Sequence, residues 1–453
     1  MPDPAHFVAV IGGAVAGSEA AEKLATLGVQ VAVFEQNPLP YGKIETGLPK
    51  WHVKLRDSQE KKIDEKLNHP LVRFIPNIRL GHEINLSQLR NEWGFSAILL
   101  ATGAWRDRPI PVPDLDQYIN SGLYYQNPFV AWFNQNHDPA YNGHAYKIPD
   151  NTLIVGGGLA SFDVAKIVMI ETTRYSLAKR GVRADTLSIE KTGIPEILKK
   201  HDLRFEDLGL QGCTLFYRRK ITDMPLTTLP EDPTPRDLET AARVRQKIFD
   251  NVQKKFLFKC MECHTPAEPI LKNGRLNGLV FYKTEIVDGR VRVKEDQKVY
   301  RESPLVISAI GSLPDPLPEI PMDGDTYRVK DQDSGALEGL EDVFALGNAV
   351  TGRGNIKESQ LHGRKVTQKV VDEFLAWNPE DYQMIFDKAK ENADEKVFAV
   401  QKHLRKKPVL STVQIDQIHE RIKALQTDVG YTDYASWITK HLPPRLENMV
   451  DDS

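Results

Sequence analysis

The chain has 453 residues, with 59 Lys and Arg against 62 Asp and Glu, a formal net charge of −3. This length predicts two or three domains, and 41% hydrophobic with 27% charged residues excludes a disordered, collagen-like or disulfide-stapled chain. The balanced charge gives no basis for binding nucleic acid through bulk basicity, three cysteines are too few for a disulfide framework, and no apolar run has the length of a membrane span.

Residues 1–7 carry neither a basic segment nor an apolar core, so no secretory signal is expected and a cytoplasmic location is the simplest expectation. Val8-Ala9-Val10-Ile11 is a short apolar run of the kind that forms a buried parallel strand. Gly12, Gly13, Ala14, Val15, Ala16 and Gly17 follow, then a helical stretch from Ser18 that stops at Gly28. Val31-Ala32-Val33-Phe34 predicts a second strand, closed by Glu35. Strand, glycine turn, helix, strand and acid make a dinucleotide-binding fingerprint. In it Gly12 allows the tight turn, Gly17 lets helix and strand pack closely, and the helix N-terminus faces a pyrophosphate. Glu35 would accept hydrogen bonds from a ribose. Ala14 stands where the fingerprint usually has its middle glycine, so backbone and pyrophosphate should approach less closely there.

A second unit starts at Leu153-Ile154-Val155, with Gly156, Gly157, Gly158, Leu159, Ala160 and Ser161 as its turn and a helix through Phe162 to Ile167. Charged, partly helical residues 172–211 delay its second strand, Leu215-Phe216-Tyr217, which ends in Arg218 and Arg219 instead of an acid. A carboxylate suits a free ribose hydroxyl, whereas guanidinium groups suit a 2′-phosphate. The second site therefore reads as NADP and the first as an unphosphorylated ribose, in FAD or NAD.

Cys260-Met261-Glu262-Cys263-His264 has the spacing of c-type haem attachment. It lies between segments that read as strands, Phe256-Leu257-Phe258 and Ala267 to Leu271, and reads as structural, with no metal expected. Basic clusters at Lys179-Arg180 with Arg183, at Arg243 and Arg245 with Lys254-Lys255, and at Arg405-Lys406-Lys407 read as solvated helix faces or as docking points for an acidic partner.

Two nucleotide units in one chain resemble the two-dinucleotide-binding flavoproteins. Ile98 through Ala104, with Ala101-Thr102-Gly103, looks like that group's strand-plus-ATG segment, and Val306 through Gly311 like its later counterpart. Val343 through Asn348 resembles the late FAD motif, with Asn348 where Asp is usual, and Gly354-Asn355-Ile356 falls where the backbone meets the flavin. Tyr41-Gly42 through His52, the segment 127–134, and the turn 156–165 narrow the resemblance to adrenodoxin reductase and the ferredoxin–NADP reductases of that type. The glutamate synthase small subunit is a cousin; it lacks the long insertion, although Met224-Pro225 looks more like it.

The resemblance implies an α/β fold with two Rossmann-like domains: a split FAD domain at 1–145 and 303–375, an NADP domain at 146–302, and a C-terminal helical extension at 376–453. FAD would be held by Gly12, Ala14, Ala16, Gly17, Glu35, Gln36, Tyr41, Gly42, Ala101, Thr102, Gly103, Gly347, Asn348, Gly354, Asn355 and Ile356. NADP would be held by Gly156, Gly158, Leu159, Ala160, Arg218 and Arg219. His52 would stand near the flavin as a proton relay, and Glu231 near the nicotinamide. The expected activity is an FAD-dependent NADPH oxidoreductase delivering electrons singly to a ferredoxin-like or flavodoxin acceptor. The alternatives are a flavin subunit of a larger electron-transfer complex or a non-catalytic FAD-binding scaffold. Residues 36–60 hold no cysteine, so disulfide reduction of the usual two-dinucleotide type is not expected.

Overall fold

The computed structural model of the chain describes residues 6–227, 229, 232–347 and 380–449. Phe7–Ile11 (β1) leads through Val15–Thr26 (α1) into Gln30–Phe34 (β2), which pairs with β1 in parallel. Both strands are buried along their whole length, which is why they read as unbroken apolar runs and not as alternating ones. Lys43–Thr46 (α2) and Val53–Leu67 (α3) follow; Val72–Ile75 (β3) then adds beside β2, and Ala97–Leu100 (β4) takes the free side of β1.

Arg106–Asp107 (β5) leaves this sheet, and Leu123–Tyr125 (β6) and Gln126–Gln135 (α4) lead to the second unit. Leu153–Gly156 (β7), Leu159–Ala178 (α5) and Thr214–Tyr217 (β8) repeat the strand–helix–strand plan. The insertion between them folds in part as Thr186–Thr192 (α6) and Ile194–Lys199 (α7). Pro235–Phe256 (α8) is followed by Lys259–Glu262 (β9), parallel to β8. This corrects the expected strand at 256–258: the helix runs to Phe256, Leu257 caps it with φ 62°, and Cys260 lies in the strand that follows.

Three antiparallel strands come next, His264–Lys272 (β10), Arg275–Val287 (β11) and Arg290–Glu302 (β12). Val306–Ala309 (β13) then inserts between β6 and β7, so the second sheet reads β6-β13-β7-β8-β9. Strands 123–125 and 306–309 thus join the second sheet from either side of the segment 146–302. Ser312–Leu313 (β14) pairs with β5, giving the chain a two-stranded connection between the sheets. Met322–Asp323 (β15) and Thr326–Tyr327 (β16) form a small hairpin. Ala336–Leu337 (β17) and Leu340–Ala345 (β18) complete the first sheet, in the order β17-β18-β4-β1-β2-β3.

The C-terminal segment is helical, as expected, and structural to the first sheet. Glu380–Leu404 (α9) and Tyr434–His441 (α11) bring Ala393, Val397, Val400, Tyr434 and Trp437 onto one face, among Val8, Val10, Val31 and Val33. Thr412–Asp428 (α10) brings Ile418 and Ile422 to the other face, among Phe7, Ala9 and Phe34. A parallel sheet needs cover on both sides, and these helices supply part of it. Lys23 with Asp394 and Lys390 with Glu19 add ion pairs between α1 and α9. Among the described residues no helix is long and apolar enough to cross a membrane.

Candidate functional site: two glycine turns

The first turn is held by backbone geometry that only glycine allows at two positions. Gly12 has φ 102°, and an added Cβ would sit 2.5 Å from the Ala101 carbonyl oxygen. At Gly17 a Cβ would overlap the Gly12 carbonyl oxygen. Ala101 and Thr102 therefore lie against this turn, and Thr102 is bonded by its hydroxyl to Tyr327 at 3.2 Å. Gly347 comes in beside Ala16, where its Cβ would be 3.5 Å from the Ala16 methyl group. Gly42, at φ 54°, packs against the Ala14 methyl group.

Glu35 is buried at the end of β2, beside half-buried Gln36. Its carboxylate accepts the Gly13 N–H at 2.8 Å and both the backbone and side-chain N–H groups of Asn37 at 3.0 Å. Burial raises its pKa, and those N–H donors offset part of the rise. The acid thus closes the turn from below. Tyr41 is 1% exposed, and its hydroxyl donates to Asp64, which Tyr434 also reaches at 2.8 Å. It is a strut of the core under the site.

The second turn matches the first at its opening glycine, where a Cβ on Gly156 would sit 2.5 Å from the Ala309 carbonyl oxygen, and differs from it further on. A Cβ at Gly158 would meet nothing, and Ser161 fills the third position with its hydroxyl donating to the Gly158 carbonyl at 2.6 Å. Gly157, by contrast, lies under the Tyr217 ring, which a Cβ there would strike. Leu159 and Ala160 open α5 directly after the turn. At the end of β8, Arg218 is exposed and Arg219 half-buried, the latter donating to the Gly289 carbonyl at 2.9 Å. Sequence reasoning missed Tyr217, the residue closing this turn; its place as the last residue of β8 was the available signal. Arg245, expected in a surface cluster, is instead drawn inward, donating to the Thr222 and Thr227 carbonyls. Burial lowers its pKa.

Both turns fit a pyrophosphate on one shared observation. Neither α1 nor α5 has a side-chain cap or an acid in its first turn. By contrast α6, α8, α10 and α11 are capped by Asp185, Thr234, Ser411 and Asp433; α3 and α4 also lack a cap, but no glycine turn of this kind leads into them. The first-turn N–H groups of α1 and α5 are left for a ligand anion, the end of a helix dipole where negative charge is favoured.

His52 joins the two units. Its Nε2 lies 3.7 Å from Asp163 Oδ1, in the second turn of α5, and both side chains are buried. Lys166, fully buried, lies 3.7 Å from the same carboxylate, donates to Glu190 at 2.9 Å, and sits over the Trp51 ring. Burial would raise Glu190, but the Lys166 ammonium outweighs it and holds the carboxyl low. Asn134 of α4 sets the loop that carries His52: it accepts from Lys50 N–H and donates to the Glu45 and Leu48 carbonyls. Neither Asn134 nor Asp163 was singled out from sequence, because each acts across a long sequence separation. Glu231, Asn348, Gly354, Asn355 and Ile356 lie outside the described residues.

Burial pushes the Cys260 thiol up to about 12 and also raises Cys263. Neither is poised as a thiolate, and the CxxC segment serves as a strand edge. A polar pocket of about 240 Å³, lined among others by Glu45, Arg56, His137 and Arg445, lies instead under the C-terminal tail. Ion pairs border it, Arg445 with Glu45 and Glu60 and Arg56 with Glu447.

Fold and site together define the class: an α/β chain with two Rossmann-type dinucleotide-binding units. Residues 6–189 match the pyridine nucleotide-disulphide oxidoreductase family. The homologues of this chain are NADPH:adrenodoxin oxidoreductases and NADPH-ferredoxin reductases. It is 28% identical over 266 residues to the mitochondrial NADPH:adrenodoxin oxidoreductase of Arabidopsis thaliana, covering 55% of this chain and about half, 52%, of that relative. It is 24% identical over 385 residues to NADPH-ferredoxin reductase FprA of Mycobacterium leprae, covering 76% and 79%. The solved structure of Mycobacterium tuberculosis FprA in complex with NADPH superposes with a TM-score of 0.66 over 94% of this chain and 91% of that one, at 19% identity, and shares the fold.

Proposed function

We propose that this chain is an FAD-dependent NADPH oxidoreductase that passes electrons to a one-electron acceptor of the ferredoxin or flavodoxin kind. The observation that carries the reading is the pairing of two uncapped glycine turns in one chain, one closed by a buried acid and the other by an arginine pair. Gly12, Ala14, Ala16, Gly17 and Glu35, with Ala101–Gly103 and Gly347 alongside, would hold FAD. Gly156, Gly158, Leu159, Ala160 and the arginines would hold NADP. When bound, the flavin supplies the chemistry, accepting hydride from the nicotinamide and returning electrons one at a time.

What the chain itself does is position and exclude. The α1 and α5 N-termini bind the two pyrophosphates. Asn134 fixes the 45–50 loop, and His52 and Asp163 set the spacing between the units on the side where the two ligands would meet. His52 is the imidazole available there to hold or pass a proton, its ring oriented by Asp163. Three free cysteines and a near-neutral surface suit a cytoplasmic enzyme. Steady-state assays with NADPH and either a ferredoxin or a flavodoxin test the reading. Saturable reduction of one of them is expected; oxidase activity alone, with neither protein reduced, would contradict it.

A further inference from the structure

The arginine pair at the end of β8 does not stand alone, and the element that holds it comes from elsewhere in the chain. The aromatic rings of Phe216 and Phe281 stack at 3.9 Å, docking β11 directly beside the last residues of β8. From there three contacts grip the pair. The Thr284 hydroxyl donates to the Arg218 carbonyl at 2.9 Å. The Cys263 N–H donates to the Arg219 carbonyl at 3.0 Å, and the Thr284 N–H in turn holds the Cys263 carbonyl at 2.8 Å. At the hairpin tip the Gly289 carbonyl takes one N–H of the Arg219 guanidinium.

The shape of the hairpin explains how its tip gets there. Tyr282 pairs with Lys298 but Lys283 pairs with Lys294, leaving Glu295 to Gln297 over as a bulge. Bulges bend a ribbon and add twist, so the outer half, Lys283 to Arg292, departs from the inner half packed on Phe216. Asp288 and Gly289 both have positive φ, 50° and 71°, the pattern of a two-residue type I′ turn, and it is this turn that offers its carbonyl to Arg219. Thr284 is buried, at 6% exposed, whereas the arginine side chains it steadies reach toward solvent.

We propose that the β11–β12 hairpin sets the preference for a 2′-phosphorylated nucleotide, with Thr284 as the positioning residue for Arg218 and the Gly289 carbonyl as the anchor for Arg219. This rests on the NADP reading of the second turn. The physical reason is ordering cost. A phosphate is gripped best by guanidinium forks already aimed at it, and two free arginine side chains would each surrender rotamer freedom on binding. Fixing both arginine carbonyls sets where the two side chains leave the strand, and holding one guanidinium edge removes part of the rotamer cost at Arg219; both help only ligands that carry the phosphate.

The test uses the flavin-loaded protein and two probes, 2′,5′-ADP and 5′-AMP, whose affinity ratio reads the 2′-phosphate contact alone. Thr284→Val removes the hydroxyl at nearly constant volume, and Thr284→Ser restores it. A third variant replaces residues 286–291 by Asn-Gly, closing Glu285 onto Arg292 through a short turn and deleting the Gly289 carbonyl. The expected result is a fall of about three- to tenfold in the 2′,5′-ADP to 5′-AMP ratio for Thr284→Val. The 5′-AMP affinity should hold steady, the ratio should recover in Thr284→Ser, and the shortened hairpin should show a comparable fall. Weakening of both probes alike in Thr284→Val, or an unchanged ratio in it and in the shortened hairpin, would overturn the inference. Arg218→Ala with Arg219→Ala separates the two levels: if that variant abolishes the ratio while the hairpin variants keep it, the hairpin role falls and the NADP reading stands. If it keeps the ratio, the NADP reading fails first.

Discussion

The two glycine turns are built on one plan and tightened differently. In the first, Gly12 and Gly17 leave no room for a side chain, and the acid that ends β2 folds back under the turn to take the Gly13 N–H. In the second, Gly158 faces open space, Ser161 occupies the third position, and the residues ending β8 are an aromatic ring over the turn and two cations beyond it. The first turn is thus closed at its first and third glycines, whereas the second is closed at Gly156 and open at Gly158 and Ser161. The contrast also bears on Ala14. Since a Cβ at the corresponding Gly158 would meet no protein atom, a methyl group at that position does not conflict with the turn itself; only the approach of the ligand is affected.

The largest effect should come from the open turn. Arg218→Ala with Arg219→Ala removes charge-assisted hydrogen bonds of about 1.5–3 kcal/mol each. The NADPH specificity constant should drop by about a hundredfold or more while that for NADH stays within about threefold; parallel stopped-flow traces with the two nucleotides check this. Next is Gly17→Ala in the closed turn, where the new methyl group overlaps a backbone oxygen. Overpacking of about 1–3 kcal/mol is expected, read as a lower urea midpoint and loss of FAD on gel filtration. Gly158→Ala, at the position that corresponds to Ala14, should leave the midpoint unchanged, and a loss there equal to that of Gly17→Ala would contradict the open space beside Gly158.

Glu35→Gln keeps the shape but removes the charge that would meet a ribose. FAD affinity should fall by about tenfold with little change in NADPH preference, as measured by flavin fluorescence on dilution. The smallest effect is a pH slope at the two-stranded connection. Lys43 donates there to Ser312 and Asn127, and burial lowers its amine to about 8, with Asp107 opposing the shift. An unfolded lysine keeps its proton to near 10.5, so between those values the unfolded chain binds more protons and stability rises with pH. The slope from Lys43 is at most about 1.4 kcal/mol per pH unit. Lys50, lowered to about 8 by its own burial, adds to the slope; urea midpoints at pH 8 and 9.5 should show the rise, and Lys43→Met should reduce it.

Much of this was legible in the sequence for a physical reason. A βαβ unit is local: the apolar run, the glycines, the helix and the residue that ends the second strand lie within a few dozen positions, and each is dictated by backbone geometry at that spot. Glu35 and Arg218-Arg219 could be read off because they end strands. What could not be read were partners brought in over long separations. Thr284 reaches Arg218 from 66 positions away, and Asn134 fixes Lys50 across 84. Asn392 of α9 holds the Gly347 N–H at 2.8 Å, so a helix of the C-terminal extension supports the late motif of the first site. The hydroxyl contact of Tyr41 was hidden for the same reason: it donates to Asp64, 23 positions on, a carboxylate it shares with Tyr434. Strands 123–125 and 306–309 join the second sheet because β13 finds open edges on β6 and β7, a pairing that no local pattern encodes.

The central claim, that the closed turn holds a flavin and the open turn delivers NADPH to it, is tested most directly by the absorbance spectrum of the purified protein followed through an anaerobic titration with NADPH. The expected result is a flavin spectrum that bleaches in proportion to added NADPH and reaches its end point at one equivalent per flavin. A colourless protein that stays colourless after FAD is supplied would contradict it.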